Sequence, residues 1–169
     1  MKKDRLEKIL DEMSGRRILV LGDLMIDEYI FGETSRISRE APVLILNYRK
    51  RNAGYGGAAN AVANIRALGG IPIPVGFIGE DNNGRTLLDM FESDGVPTHG
   101  IMTSPEIDTT CKTRVMAGGM HTIHQQIVRI DREPPEPYKP SAVIAKTREI
   151  IDSGVDGILV SDYGCGTVS

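Results

Sequence analysis

The stretch Gly54-Tyr55-Gly56-Gly57-Ala58-Ala59-Asn60 runs directly into Ala61-Val62-Ala63-Asn64-Ile65-Arg66-Ala67-Leu68-Gly69, and its reading decides the fold. Small and apolar residues at helical spacing predict a helix over 58–68, closed by Gly69-Gly70. Glycines just ahead of a helix let backbone approach a ligand closely and take positive φ. The helix start behind them presents unpaired N–H groups and a partial positive charge. A polar or anionic small molecule suits such a place; a tight turn packed on a sheet would use the same glycines.

Outward from this point, strands alternate with helices. Leu6, Ile9, Leu10 and Met13 fall at helical spacing before Gly15. Ile18-Leu19-Val20-Leu21 reads as a buried strand ending at Gly22-Asp23, and Val75-Gly76-Phe77-Ile78-Gly79 as a second. Leu87, Leu88 and Phe91 predict a helix begun near Asn82-Asn83 and ended near Gly95. Val143, Ile144, Ile150 and Ile151 mark another helix, and Ile158-Leu159-Val160-Ser161-Asp162 a last buried strand. The alternation implies one α/β domain with a mostly parallel, helix-covered sheet.

Two segments break the alternation. Residues 29–52 carry short strand-like pieces such as Val43-Leu44-Ile45-Leu46. Residues 109–117 and 121–130 read as two arms of a hairpin about Gly118-Gly119, followed by a stiff connector, Glu133-Pro134-Pro135-Glu136-Pro137. The two insertions can meet as a small second sheet. In open α/β sheets ligands bind beyond the carboxyl ends of the strands, where Asp23 and Asp162 are expected.

The 169 residues, with net charge -3 and mixed signs, give no sign of a nucleic-acid or membrane surface. The one basic run, Arg49-Lys50-Arg51, reads as a solvated turn. No signal peptide or membrane-length apolar run is visible. Cys111 and Cys165 have neither metal nor redox spacing, the pattern of a reduced, cytosolic protein.

Several residues are candidates for chemistry. Asp23 and Asp27, four apart at the end of the first strand, can accept hydrogen bonds from sugar hydroxyls or serve as turn residues. Arg36, Lys112, Arg114 and Arg129 sit on the insertions, and such cations are the usual phosphate partners. His121 and His124 share no face on a strand and lack a third ligand, which argues against a metal site. Gly54-x-Gly56-x-x-Ala59 formally satisfies a dinucleotide fingerprint, with Glu80-Asp81 after the next strand. That fingerprint must directly follow a buried strand, whereas Tyr48-Arg49-Lys50-Arg51-Asn52 is polar.

Taken together, these pieces resemble the ribokinase-like (PfkB) carbohydrate kinases, and among them the heptose 7-phosphate kinase domain of ADP-heptose synthesis. The matching text is Gly22-Asp23-Leu24-Met25-Ile26-Asp27-Glu28-Tyr29, Ser35-Arg36-Ile37-Ser38-Arg39-Glu40-Ala41-Pro42-Val43 and Gly56-Gly57-Ala58-Ala59-Asn60. It continues with Lys112-Thr113-Arg114, Gln125-Gln126, Arg129-Ile130-Asp131 and Ser161-Asp162-Tyr163-Gly164. The resemblance implies a Rossmann-like domain with a small β-sheet lid and a homodimer formed through that lid. It implies ATP- and magnesium-dependent phosphorylation of the anomeric hydroxyl of a heptose 7-phosphate for lipopolysaccharide precursors. It further implies that Asp23, Gly56, Gly57 and Asn60 hold sugar hydroxyls. Lys112 and Arg114, with Arg36, would approach the sugar phosphate or line the lid. Gln126, Arg129 and Asp131 belong to the matching lid strand, and Asp162 lies near phosphoryl transfer.

The sequence departs from the family pattern twice. The family's Gly-Ala-Gly-Asp signature, which supplies an anion hole and catalytic base, has no match, and Cys165 stands where the family commonly has Lys. The expectation is therefore the sugar-binding part of a kinase domain, ending before its catalytic base and inactive alone. The alternatives are a sugar-phosphate-binding or dimerisation module without catalysis, or another sugar kinase of the same family.

Overall fold

The structure, a computed structural model, describes residues 3–119, 123–133 and 140–168. In chain order its elements are α1 (Lys3–Met13), β1 (Arg17–Gly22), β2 (Leu24–Ile37), β3 (Leu44–Gly56), α2 (Gly57–Ala67) and β4 (Ile71–Gly79). They continue with α3 (Asn82–Ser93), β5 (Ile101–Ser104), β6 (Thr110–Gly118), β7 (Gln125–Arg132), α4 (Pro140–Asp152) and β8 (Gly157–Ser161).

Four strands form a parallel sheet in the order β5-β4-β1-β8. Successive residues of β1 point to opposite faces, so Val20 joins Val62, Ile78, Leu87 and Phe91 under α2 and α3, while Leu19 joins Ile73, Val75 and Ile150 under α4. Each fully buried aliphatic side chain there contributes about 1.5–3 kcal/mol. Ala58 and Ala59 let α2 lie close on β1 and β2, a Cβ added at Gly22 falling 3.1 Å from that of Ala58.

The second sheet has the order β3-β2-β6-β7. Strands β2 and β6 run parallel at its centre, and β3 and β7 flank them antiparallel. Residues 29–52 are thus parts of two long paired strands rather than short pieces, and β2 already begins at Leu24. The adjacent acids Asp27-Glu28 obscure that start in the sequence, because they break the apolar run while the strand continues. The basic run is likewise no turn: Arg49, Lys50 and Arg51 lie within β3, with Arg49 paired to Glu33 at 2.5 Å and Arg51 paired to Glu28. Lys50 Nζ lies 4.8 Å from the Phe31 ring centroid.

Further differences concern the edges. Strand β5 carries no distinctive pattern and is invisible to sequence reading. Strand β8 forms as expected but is not fully buried: Ile158 and Val160 are 52% and 56% exposed, because β8 is the sheet edge and α4 does not cover that face of it. The hairpin arms pair as β6 and β7, while the tip at 120–122, with His121, and residues 134–139 of the stiff connector lie outside the described residues.

Tyr55 joins the two sheets' layers. Its ring stacks on Phe91 at 5.1 Å, and its hydroxyl donates to Asp94 Oδ2 at 2.8 Å. Burial and this carboxylate push the phenol well above its ordinary value.

The start of α3 is fixed by Asp81, one residue ahead of the expected Asn82-Asn83. Its Oδ1 accepts from Gly84 N at 2.7 Å and Thr109 Oγ1 at 2.8 Å, and its Oδ2 from Thr109 N at 3.0 Å. Burial acts to raise its pKa, but these hydrogen bonds and Arg132 outweigh burial and hold the carboxyl below the usual value. A lowered folded-state value stabilises above the ordinary carboxylate range, and that stability is lost as pH falls through it. Asp81→Asn should cost about 1 kcal/mol near neutral pH in urea unfolding, because an amide can keep the cap on Gly84 N but puts an NH2 group where Oδ2 accepts from Thr109 N. The difference from wild type should shrink between about pH 5 and about pH 2.

Candidate functional site

The two central glycines of the opening motif stand where β3 passes into α2. Gly57 has φ +50°, and a Cβ there would lie 2.6 Å from the Asp23 carbonyl oxygen. A Cβ on Gly56 would lie 3.1 Å from the Asp27 carboxylate. The glycines thus bring the α2 N-terminus against both the β1–β2 junction and the second sheet. Asn60 is exposed on the first turn of α2. The fingerprint-like glycines Gly54 and Gly56 lie at the end of β3 itself, an antiparallel strand of the second sheet, which removes the structural context a dinucleotide site requires.

Strand alternation sorts the second sheet into two faces. Register places Asp27 opposite Lys112, Lys112 opposite Asp131, Tyr29 opposite Arg114 and Arg114 opposite Arg129. These residues share one face, the face of Gly56 and Asp27. Arg114 Nη1 donates to Asp27 Oδ1 at 2.8 Å, and its guanidinium lies 5.3 Å from the Tyr29 ring centroid. Lys112 Nζ lies 3.5 Å from Asp131 and 3.1 Å from Glu133, and Arg129 Nε lies 2.9 Å from Asp131. Burial acts to lower the Lys112 pKa, but Glu133 and Asp131 raise it overall. For Asp131 burial acts to raise the pKa, and Arg129 and Lys112 pull it down. The face presents three cations and three carboxylates, already matched to one another.

Of the predicted residues, Asp27, Gly56, Lys112, Arg114, Arg129 and Asp131 therefore converge. Gln126 lies opposite Met116 further along the same face. Arg36 does not join them: it lies nine residues beyond Asp27 on β2, about 30 Å at strand rise. Asp162 is exposed after β8, and its Oδ1 accepts from Gly164 N at 2.8 Å.

Asp23 is also apart from the cluster. It lies between β1 and β2 rather than beside Asp27, is 2% exposed, and its carboxylate is filled by backbone donors from the loop after β8. Tyr29 and Glu133 are site residues the sequence reading did not select. The i, i+2 spacing of Asp27 and Tyr29 is the signal that places Tyr29; Glu133 follows the end of β7 and carries none.

The opposite face holds a cleft of about 460 Å3 against the start of α3, lined by Glu28, Arg51, Asn83, Cys111, Thr113 and Arg132 among others. Glu28 is engaged there by Arg51 and by Thr113 Oγ1 at 2.8 Å. Both cysteines are free and buried. Burial pushes both thiols up, with the Asp23 charge adding to the rise at Cys165. Neither is an activated nucleophile.

Comparison with known proteins bears on the family and the fold. Residues 16–166 match the profile of the pfkB family carbohydrate kinases. The chain is 41% identical over 172 residues to the Bifunctional protein HldE of Trichlorobacter lovleyi, covering all of this chain and 34% of that protein. It is 38% identical over 164 residues to the Bifunctional protein HldE of Magnetococcus marinus, covering 91% of this chain and 32% of that protein. The chain thus spans about a third of the length of these relatives. Among solved structures, a carbohydrate kinase from Agrobacterium tumefaciens superposes with a TM-score of 0.63 at 18% identity, over 86% of this chain and 45% of that one. The phosphofructokinase-2 of Escherichia coli in complex with fructose-6-phosphate superposes with a TM-score of 0.59 at 15% identity, over 87% and 45%. At those identities the likeness concerns the fold. With its profile match, glycine junction and two sheets, the chain belongs to the pfkB family of carbohydrate kinases.

Proposed function

We propose that this chain is the sugar-binding, lid-bearing part of a heptose 7-phosphate kinase, with the second sheet as the lid. The observation that carries the reading is the convergence of Asp27, Lys112, Arg114 and Asp131 on the face beside Gly56. The heptose assignment rests on the resemblance of Ser35 to Val43, Lys112-Thr113-Arg114 and Gln125-Gln126 to heptose 7-phosphate kinases, and the similarity to the HldE proteins supports it.

In this reading Lys112 and Arg114 receive the 7-phosphate. They do so by exchanging Glu133, Asp131 and Asp27 for phosphate oxygens, so binding is an ion-pair exchange on a pre-charged surface. Asp27, released from Arg114, accepts a sugar hydroxyl. The N-terminus of α2, with Gly56, Gly57 and Asn60, lies against the sugar body. ATP supplies the phosphoryl group to the anomeric hydroxyl, a transfer that depends mainly on positioning and charge stabilisation. Among the described residues no group of three carboxylate, imidazole or thiol side chains is placed to hold a metal ion, and magnesium in such a transfer is carried largely by the nucleotide's own phosphates. The amides of the loop after β8 are spent on Asp23, and no Gly-Ala-Gly-Asp signature is present. A homodimer through the lid is part of the proposal, supported by exposed apolar residues of that sheet such as Ile37, Leu44, Ile127 and Ile130. A cytoplasmic place fits the free thiols; among the described residues no helix is long and apolar enough to cross a membrane.

Calorimetric titration tests this. Heptose 7-phosphate should bind saturably, ATP weakly or not at all, and the chain alone should not turn over ATP. Saturable sugar-phosphate binding alone would equally suit a module without catalysis, so adding the remainder of an HldE-type kinase domain must restore turnover. Silence to the sugar phosphate, or tight NADH binding, would refute the assignment.

Arg114→Met should weaken sugar-phosphate binding about tenfold or more, the worth of a charge-assisted contact. The same substitution should also lower the urea midpoint, because it leaves the mostly buried Asp27 carboxylate without its cation, so affinity is measured under conditions where the variant is folded. Unaltered affinity in Arg114→Met would remove the phosphate from this face.

A further inference from the structure

We infer that Asp23 is a positioning residue that anchors the loop after β8, rather than a ligand of the sugar. Its bearing on sugar binding rests on the reading proposed above, but the anchor itself does not.

The loop Tyr163-Gly164-Cys165-Gly166-Thr167 donates to Asp23 through alternate residues. Tyr163 N and Cys165 N reach Oδ2 at 2.7 and 3.1 Å, and Thr167 N reaches Oδ1 at 3.0 Å. The intervening glycines make this possible: Gly164 has φ +74° and Gly166 φ +95°, values that side-chain-bearing residues rarely adopt. Positive φ at every second residue curls the chain so that alternate N–H groups face a common centre, an anion receptor made of backbone. Its anion is supplied by the protein itself.

The main chain of Asp23 is tied down as well. Its N–H donates to Ser161 O at 3.2 Å, and its carbonyl accepts from Ala58 N at 3.0 Å. One residue therefore fixes the end of β8, the loop beyond it and the start of α2 relative to one another.

A carboxylate so placed has little left to offer a sugar. It is 2% exposed, and three of its roughly four lone-pair positions are used. Asp27, by contrast, is partly exposed and shares its charge with one side chain that can move. The anchor also keeps the loop amides from acting as a phosphate site. The sugar phosphate then finds its cations on the second sheet, and the loop is held in a single place beside the reacting end.

Amide hydrogen exchange on the intact chain, resolved residue by residue, tests the assignment. In wild type the N–H groups of Tyr163, Cys165 and Thr167 should exchange at least about tenfold more slowly than that of Gly166, which makes none of these bonds. Asp23→Asn should turn its remaining oxygen toward the two donors at Oδ2. Thr167 then loses protection, on the order of tenfold or more, while Tyr163 and Cys165 keep theirs. Asp23→Ala should release all three, with amides in α2 and β4 unchanged. Should Asp23→Ala fail to fold, the wild-type and Asp23→Asn patterns decide. Rapid exchange of the three amides in wild type, or retained protection of Thr167 in Asp23→Asn, would overturn the anchor. Saturating heptose 7-phosphate should leave the three amides protected; their release would show the carboxylate moving to the sugar and would overturn the positioning role. A wild-type chain that binds no sugar phosphate would refute the proposed function and leave the exchange test of the anchor intact.

Discussion

The architecture depends on one buried carboxylate at the point where the two sheets part. Asp23 lies between β1 of the parallel sheet and β2 of the second sheet, and its backbone and side chain together bond β8, the loop beyond it and α2. Burying a charge is costly unless hydrogen bonds replace water. Three amide donors do so here, and the chain has placed glycines at 164 and 166 to aim them. The requirement extends to Gly57, where any side chain would collide with the Asp23 carbonyl.

From that junction the second sheet rises with two unlike faces. One side begins with the apolar Ile26 and Cys111 in the main core and opens into the cleft beside α3, where Glu28 and Arg51 pair. The other side carries alternating charges on β2, β6 and β7, satisfied by one another. With its cations and carboxylates paired, this face lacks the self-repulsion of an all-cationic patch. Under the proposed function, affinity there is a contest between internal carboxylates and an incoming phosphate, which makes specificity a matter of geometry as much as of charge.

Much of the parallel sheet and its helices is legible in the sequence because apolar periodicity reports burial directly. Val20, Val62, Leu87 and Phe91 stand where their spacing puts them. The second sheet is legible only in outline. Asp27-Glu28 hides the start of β2, and Arg49-Lys50-Arg51 looks like a turn because both of its faces are polar. Each charge is answered by a partner on a neighbouring strand, which pattern along one strand cannot show. The same limit separates Asp23 from Asp27. They read as a pair four residues apart, yet Asp23 precedes β2 while Asp27 lies within it, and their roles follow from cross-chain partners. Lys112 and Arg114 are legible as cations, but only register with Asp27 and Asp131 shows that they share a face. Arg36 shows the converse, a matching motif residue that strand length carries away from the cluster.

The most direct test of the account is a crystal structure of the chain with heptose 7-phosphate bound. The account predicts the phosphate on the face of Asp27, within hydrogen-bond reach of Lys112 Nζ and the Arg114 guanidinium, with the sugar ring turned toward Gly56 and the start of α2. Density for the sugar phosphate in the opposite cleft, beside Glu28, Arg51 and Cys111, would contradict it.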